Sequence, residues 1–171
     1  MTNQAVYNAL KELITAYQHK LTEIPEAQFQ LTPPIGGWSY SEVYSHIFDL
    51  SILTLGEVQK CINGEGEKDK PTVFMVKLLL FFGNLPPAIK YKVPGKLASR
   101  VHKITKSAAQ DMITRFSAEI DQVYPKVNQA DLNLKTRHPR MGYFNAKQWF
   151  RFSEIHLKHH YKQLMRIEKS F

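Results

Sequence analysis

A chain of 171 residues with 43% hydrophobic content can bury one good core, so one domain over residues 1–171 is expected. With 23 Lys and Arg against 15 Asp and Glu, its formal net charge is +8, which favours anionic partners without dictating a fold. The single Cys61 excludes an intramolecular disulfide and a cysteine-rich zinc site, and it suits a reducing compartment, so a cytoplasmic location is expected.

Thr2, Asn3 and Gln4 lead directly into an amphipathic pattern, with no apolar leader of the signal-peptide kind. There Val6, Leu10, Leu13, Tyr17, Leu21 and Ile24 recur at steps of three and four until Pro25 ends the first helix. After the turn-rich Pro33, Pro34, Gly36 and Gly37, Ser39 and Glu42 have the spacing of a capping box, and a second helix is predicted from about Tyr40 to Ile62. Its apolar residues cover most of its circumference, as expected of a central helix.

A third helix is predicted over Ser107–Val127, with Met112, Ile113, Phe116, Ile120, Val123 and Tyr124 facing inward. The fourth starts at Asn145, with Gln148 in the capping-box position, and runs to about Glu168. No alternation of period two reaches sheet-forming length. The pattern predicts an all-α four-helix bundle, with a long crossover of about 45 residues between helices 2 and 3.

The crossover is basic. No acid lies between Asp69 and Asp111, whereas Lys70, Lys77, Lys90, Lys92, Lys96, Arg100, Lys103 and Lys106 do. Three readings of this strip over 70–106 stand: a solvated surface, an anion-attracting rim beside a pocket, or a membrane-surface contact. Val73–Phe82 is the longest apolar run, about half the length of a membrane span, so no spanning helix is expected. Its Phe74–Phe82 portion is predicted to be a short helix capping one end of the core.

The pattern of histidines carries the chemistry. At roughly 100° per residue, His156 and His160 fall on the stripe that also holds Trp149, Phe152 and Ile167. Lys147, Arg151, Glu154, Lys158, Lys162 and Lys169 gather opposite, and His159 lies at the edge in a supporting or solvent-facing role. Two inward imidazoles without partners are costly to bury, and a shared metal ion relieves that cost. His46 shares a face with Val43, Leu50 and Leu53, so it too should look inward, with Glu42 and Asp49 one turn away to orient its ring. For a lone inward histidine, a hydrogen-bonded structural role and a ligand role both stand. Gln163 falls on the ligand side, Tyr161 points away from it, and Trp38 and Trp149 read as packing anchors. His19 and His102 have no partner at ligand spacing, and His138 precedes Pro139 in a turn.

The stretch Trp38-Ser39-Tyr40-Ser41-Glu42-Val43-Tyr44-Ser45-His46 resembles the entry to the second helix of the DinB-like superfamily. His156-Leu157-Lys158-His159-His160-Tyr161-Lys162-Gln163 is similar to that family's last-helix element, His-x-x-His-His-x-x-Gln. His138-Pro139-Arg140-Met141-Gly142, followed by Gln148-Trp149, resembles the lead-in of a subgroup with a His-Pro-x-x-Gly turn. Taken together, the resemblance spans all four helices. It implies a bundle holding a divalent metal ion through His46, His156 and His160. It also implies relatives that include transferases and isomerases dependent on bacillithiol, mycothiol or glutathione, and a homodimer as a common state. Tyr161-Lys162 stand where many relatives have Arg-Gly, which leaves the ligand set unchanged but does not carry over a substrate.

Three imidazoles suit zinc or nickel first, and also iron, manganese or copper. An open coordination position favours catalysis and would activate a thiol. Cys61 lies fifteen helical residues from His46, about 22 Å along the axis, so a low-molecular-weight thiol cofactor is expected to bring the sulfur. The leading expectation is a metal-dependent thiol transferase acting on a small electrophile, with an anionic substrate favoured by the charge. The alternative is a non-catalytic metal-binding or stress-response module. A nucleic-acid binder has only net charge behind it, because no finger, phosphate loop or RNA-binding aromatic motif occurs.

Overall fold

The computed structural model describes residues 1–85 and 100–171. The expected four-helix bundle is the observed architecture, made by α1 (Asn3–Glu23), α3 (Tyr40–Ile62), α5 (Lys106–Val127) and α6 (Ala146–Glu168). Among the described residues two shorter helices, α2 (Glu26–Phe29) and α4 (Phe74–Phe82), accompany them. The first helix ends before Pro25 as expected, with Ile24 extended at its C-cap, and Pro25 N-caps the separate α2, where a missing N–H is tolerated.

Local chemistry sets the helix starts. Thr2 and Thr105 accept the amides of Ala5 and Ala108. Both predicted capping boxes are formed: Ser39 with Glu42, and Asn145 with Gln148. Each satisfies two orphan amides at a helix N-terminus. α1 and α3 each pack against both α5 and α6, so the core lies among the four long helices. It is filled by Leu10, Tyr17, Phe48, Ile113, Phe116, Ile120 and Phe150, all fully buried.

Polar bonds inside this core tie helices together. Tyr17 Oη donates to the Leu157 carbonyl at 2.8 Å, and Tyr44 Oη donates to the Tyr17 carbonyl at 2.8 Å. Tyr17→Phe removes the α1–α6 bond while keeping the ring, so a loss of about 1–2 kcal/mol is expected in urea unfolding. An unchanged midpoint would show the bond to be energetically idle.

No alternation announces strands, yet a small antiparallel hairpin is present. β1 (Thr136–His138) pairs with β2 (Gly142–Phe144) in the register Thr136 with Phe144 and His138 with Gly142. The segment after α3 joins it through bridges from Glu67 to Lys135 and from Thr72 to Gly142. Three-residue strands are too short to show alternation. The turn follows from its residues. Pro139 has no N–H, His138 Nδ1 accepts the next two amides at 3.1 Å each, and Gly142 takes φ +80.

α4 does not cap the core as expected. Only Val76 is buried, whereas Phe81 and Phe82 are 80% and 68% exposed, so one edge of this helix touches the bundle. It lies along α6, where Arg151 Nε donates to the Leu80 carbonyl at 3.3 Å. Lys90, Lys92 and Lys96 of the basic strip lie outside the described residues. Among the described residues, no helix is long and apolar enough to cross a membrane.

Candidate metal centre

α3 and α6 are the two central elements of the site. The capping box at Ser39 starts α3 with His46 about two turns in, and the Asn145 box sets the phase of α6. The facing helices bring His46, His156 and His160 together, with one ring nitrogen from each within 4.8 Å of the others. The ring centroids of His46 stand 5.6 Å from His156 and 4.8 Å from His160. His46 and His160 are buried and His156 is half-buried.

Hydrogen bonding resolves the orientation of His160. Its Nδ1 lies 2.8 Å from Gln163 Oε1, an acceptor, so the ring proton sits on Nδ1. Nε2 then presents its lone pair inward, 3.1 Å from His156 Nε2. Gln163 is thus the orienting partner, on the ligand side as the sequence suggested. The two acids expected to orient His46 do other work. Glu42 Oε2 accepts the Ser39 amide and hydroxyl at 2.9 and 2.7 Å, and Asp49 takes two 2.6 Å bonds from Arg100.

Burial keeps the cluster neutral. It pushes His46 down to about 4 against the opposing pull of Asp49, and it drives His156 and His160 well below the ordinary imidazole value, with the fields of His46 and His159 adding to the effect on both. Neutral imidazole is the form that ligates a metal. Three such nitrogens converging from two helices could hold one ion and leave a coordination position open.

Aromatic rings enclose the cluster. Trp38 lies 4.7 Å from the His46 ring and 6.3 Å from that of His160, so it packs on the histidines themselves and does more than anchor a helix start. Phe152 stacks on His156 at 5.5 Å and meets His138 edge-on at 5.3 Å. His138, expected only as a turn residue, is packed among Phe144, Trp149 and Phe152. Its doubled acceptor role is the feature that sequence inspection missed, although the His-Pro-x-x-Gly spacing marked the place. Trp149 behaves as an anchor, donating Nε1–H to Thr136 Oγ1 at 2.7 Å.

Several neighbours fall elsewhere. Tyr161 turns toward Tyr17, ring centroids 5.3 Å apart. His159 is half-buried against the His160 ring at 5.1 Å and lies outside the three-residue cluster. Leu53, expected to share the inward face of His46, is 43% exposed. Glu154, expected on the solvent side, is 5% exposed, because Arg151 one turn before it supplies a 2.5 Å ion pair. His19 pairs with Glu23, and His102 Nδ1 contacts the Arg100 carbonyl; neither joins the cluster.

Bundle and cluster together define a class: four-helix proteins that gather three histidines from facing helices. The chain belongs to the DinB superfamily, whose family model matches residues 9–164. The crystal structure of TT2238, a four-helix bundle protein, is similar at 18% identity and TM-score 0.60, covering 96% of this chain and 99% of that one. A mycothiol-dependent maleylpyruvate isomerase is similar at 13% identity and TM-score 0.60, over 91% of this chain and 58% of that one. The chain therefore spans just over half the length of the isomerase, and both likenesses concern the fold. No curated protein matches by sequence.

Proposed function

We propose that His46, His156 and His160 hold one divalent ion and that the chain is a metal-dependent transferase joining a low-molecular-weight thiol to a small electrophile. The observation that carries the reading is the pair of Nε2 atoms 3.1 Å apart, with Gln163 fixing the His160 proton on the far side of its ring. His46 brings a third ring nitrogen within 4.8 Å of these two, so an ion placed there would take a lone pair from all three rings and replace the single N–H···N bond that His156 can donate to His160. Zinc and nickel fit this all-nitrogen set best, with iron, manganese and copper as further candidates. When bound, the ion would supply Lewis acidity and lower the pKa of a thiol reaching its open side.

The residues supply the remainder. Gln163 orients His160, Trp38 and Phe152 shield the rings from water, and the depressed histidine pKa values keep protons from competing for the ligand nitrogens. Cys61 takes no part, being fully buried with its Sγ 3.8 Å from Thr136 Oγ1 and from the Phe144 carbonyl. The His138 to Gly142 turn supports membership of the subgroup with that lead-in. The mycothiol dependence of a protein of similar fold supports the thiol.

The test is a panel of bacillithiol, mycothiol and glutathione offered with a reactive electrophile. Turnover that disappears on chelation, returns with metal and falls at least tenfold in a folded His46→Ala variant is expected. Ion binding without metal-dependent turnover across the panel would favour a metal-binding module instead.

A further inference from the structure

α4 is apolar around its whole circumference except at Lys77, a pattern that suits a helix covered on every side. The bundle covers one side alone. Val76 is buried and Leu80 half-buried, and the Leu80 carbonyl accepts Arg151 Nε at 3.3 Å. Gly83 closes the helix in the left-handed region, its amide donating to the Leu79 carbonyl at 2.9 Å. The element is therefore pinned to α6 with its far side uncovered.

At about 100° per residue, Phe81, Phe74, Leu78, Phe82 and Met75 fall within one arc of about 120°, with Val76 nearly opposite its centre. Phe74, Met75, Phe81 and Phe82 are 68–80% exposed, so the arc is an apolar surface about 13 Å long. Cations border it. Lys77 and Lys147 line a shallow cavity of about 310 Å³ together with Phe81, and Lys162 Nζ reaches Asn84 Oδ1, just past the helix, at 3.4 Å. None of these three lysines is in an ion pair among the described residues. Acids are absent or occupied: none lies between Asp69 and Asp111, Glu67 pairs with Lys70, and Glu154 of α6 is buried against Arg151.

We propose that α4 lies in the surface of an anionic lipid bilayer, with Phe74, Met75, Phe81 and Phe82 among the acyl chains and Lys77, Lys147 and Lys162 meeting the phosphates. Nine residues are too few to span a bilayer, but they can lie in its interface. Lysine stems run along such an apolar face and keep their ammonium groups at the headgroup level. A second copy of the chain fits the face less well, because it would bring the same lysines and a net charge of +8 against them. Arg151 and Lys162, which α4 touches, lie on the side of α6 opposite the histidine stripe. The contact therefore stands whether or not an ion is bound there.

The test sediments the full chain with vesicles of phosphatidylcholine alone and of phosphatidylcholine with phosphatidylglycerol. Binding to the phosphatidylglycerol vesicles is expected to be about tenfold stronger or more. The double variant Lys77→Gln, Lys162→Gln should weaken it about tenfold, through lost attraction to the phosphates. The double variant Phe74→Ser, Phe81→Ser should weaken it by a similar factor, through lost apolar burial. Binding to neither vesicle, or equally to both, would overturn the proposal. Undiminished binding by the folded serine variant would overturn it too, since charge alone would then hold the protein. Phe81→Trp keeps the face apolar, and its added emission should be quenched by lipids brominated along their acyl chains. Unquenched emission would refute insertion even if the serine variant failed to fold. Light scattering in the absence of vesicles supplies the remaining arm: a dimer that the serine variant dissolves would assign the face to a second copy and overturn the bilayer contact.

Discussion

Protein purified from cells supplied with zinc and nickel is expected to carry about one divalent ion per chain, and His156→Ala or His160→Ala is expected to abolish it. Each substitution leaves two imidazoles, too few for a tight site. His46→Ala should behave alike, since its nitrogen is the sole contribution from α3. His159→Ala should retain most of the metal, because His159 contacts His160 by its ring without joining the cluster. Gln163→Leu should weaken binding by roughly ten- to a hundredfold, as removal of an orienting partner does. Elemental analysis after dialysis separates these cases. A folded wild-type chain that refuses both ions would refute the ligand set.

Acid should unfold the chelator-treated protein well before its carboxylates are all protonated. Burial holds His138 down to about 4 against an ordinary value of 6.5, and His46 likewise. The unfolded chain therefore takes up protons that the folded chain refuses. The stability these groups contribute is fully present above pH 6.5 and drains away as the pH falls toward 4. Between pH 7 and 5 each such histidine is expected to cost about 2 kcal/mol. The geometry at His138 gives the same sign, because a proton on Nδ1 would displace the two amides it accepts. His138→Asn offers a non-titrating acceptor in its place, so the urea midpoint of this variant should fall less between pH 7 and 5. An equal fall would remove His138 from the account.

What could be read from the sequence was what short-range chemistry dictates. Ser39 with Glu42 and Asn145 with Gln148 are caps whose partners lie three residues apart, and the inward stripe of α6 follows from helical periodicity alone. What could not be read depended on distant partners. Glu154 looked solvent-facing until Arg151, itself fixed by the Leu80 carbonyl, accompanied it inward. Asp49 looked available to His46 until Arg100, from far along the chain, claimed it. The hairpin was hidden because three residues cannot display a period of two. Trp38 showed its place only once α6 lay across the start of α3.

Cys61 gives the bundle a chemical independence from its surroundings. Its sulfur is fully enclosed beside Thr136 and the Phe144 carbonyl, and burial pushes its thiol above the ordinary value. Disulfide exchange needs both a thiolate and access to it, and this thiol has neither while the chain is folded. A swing in the thiol–disulfide balance of the medium, or a flood of foreign thiols, therefore passes without leaving a mixed disulfide on the scaffold.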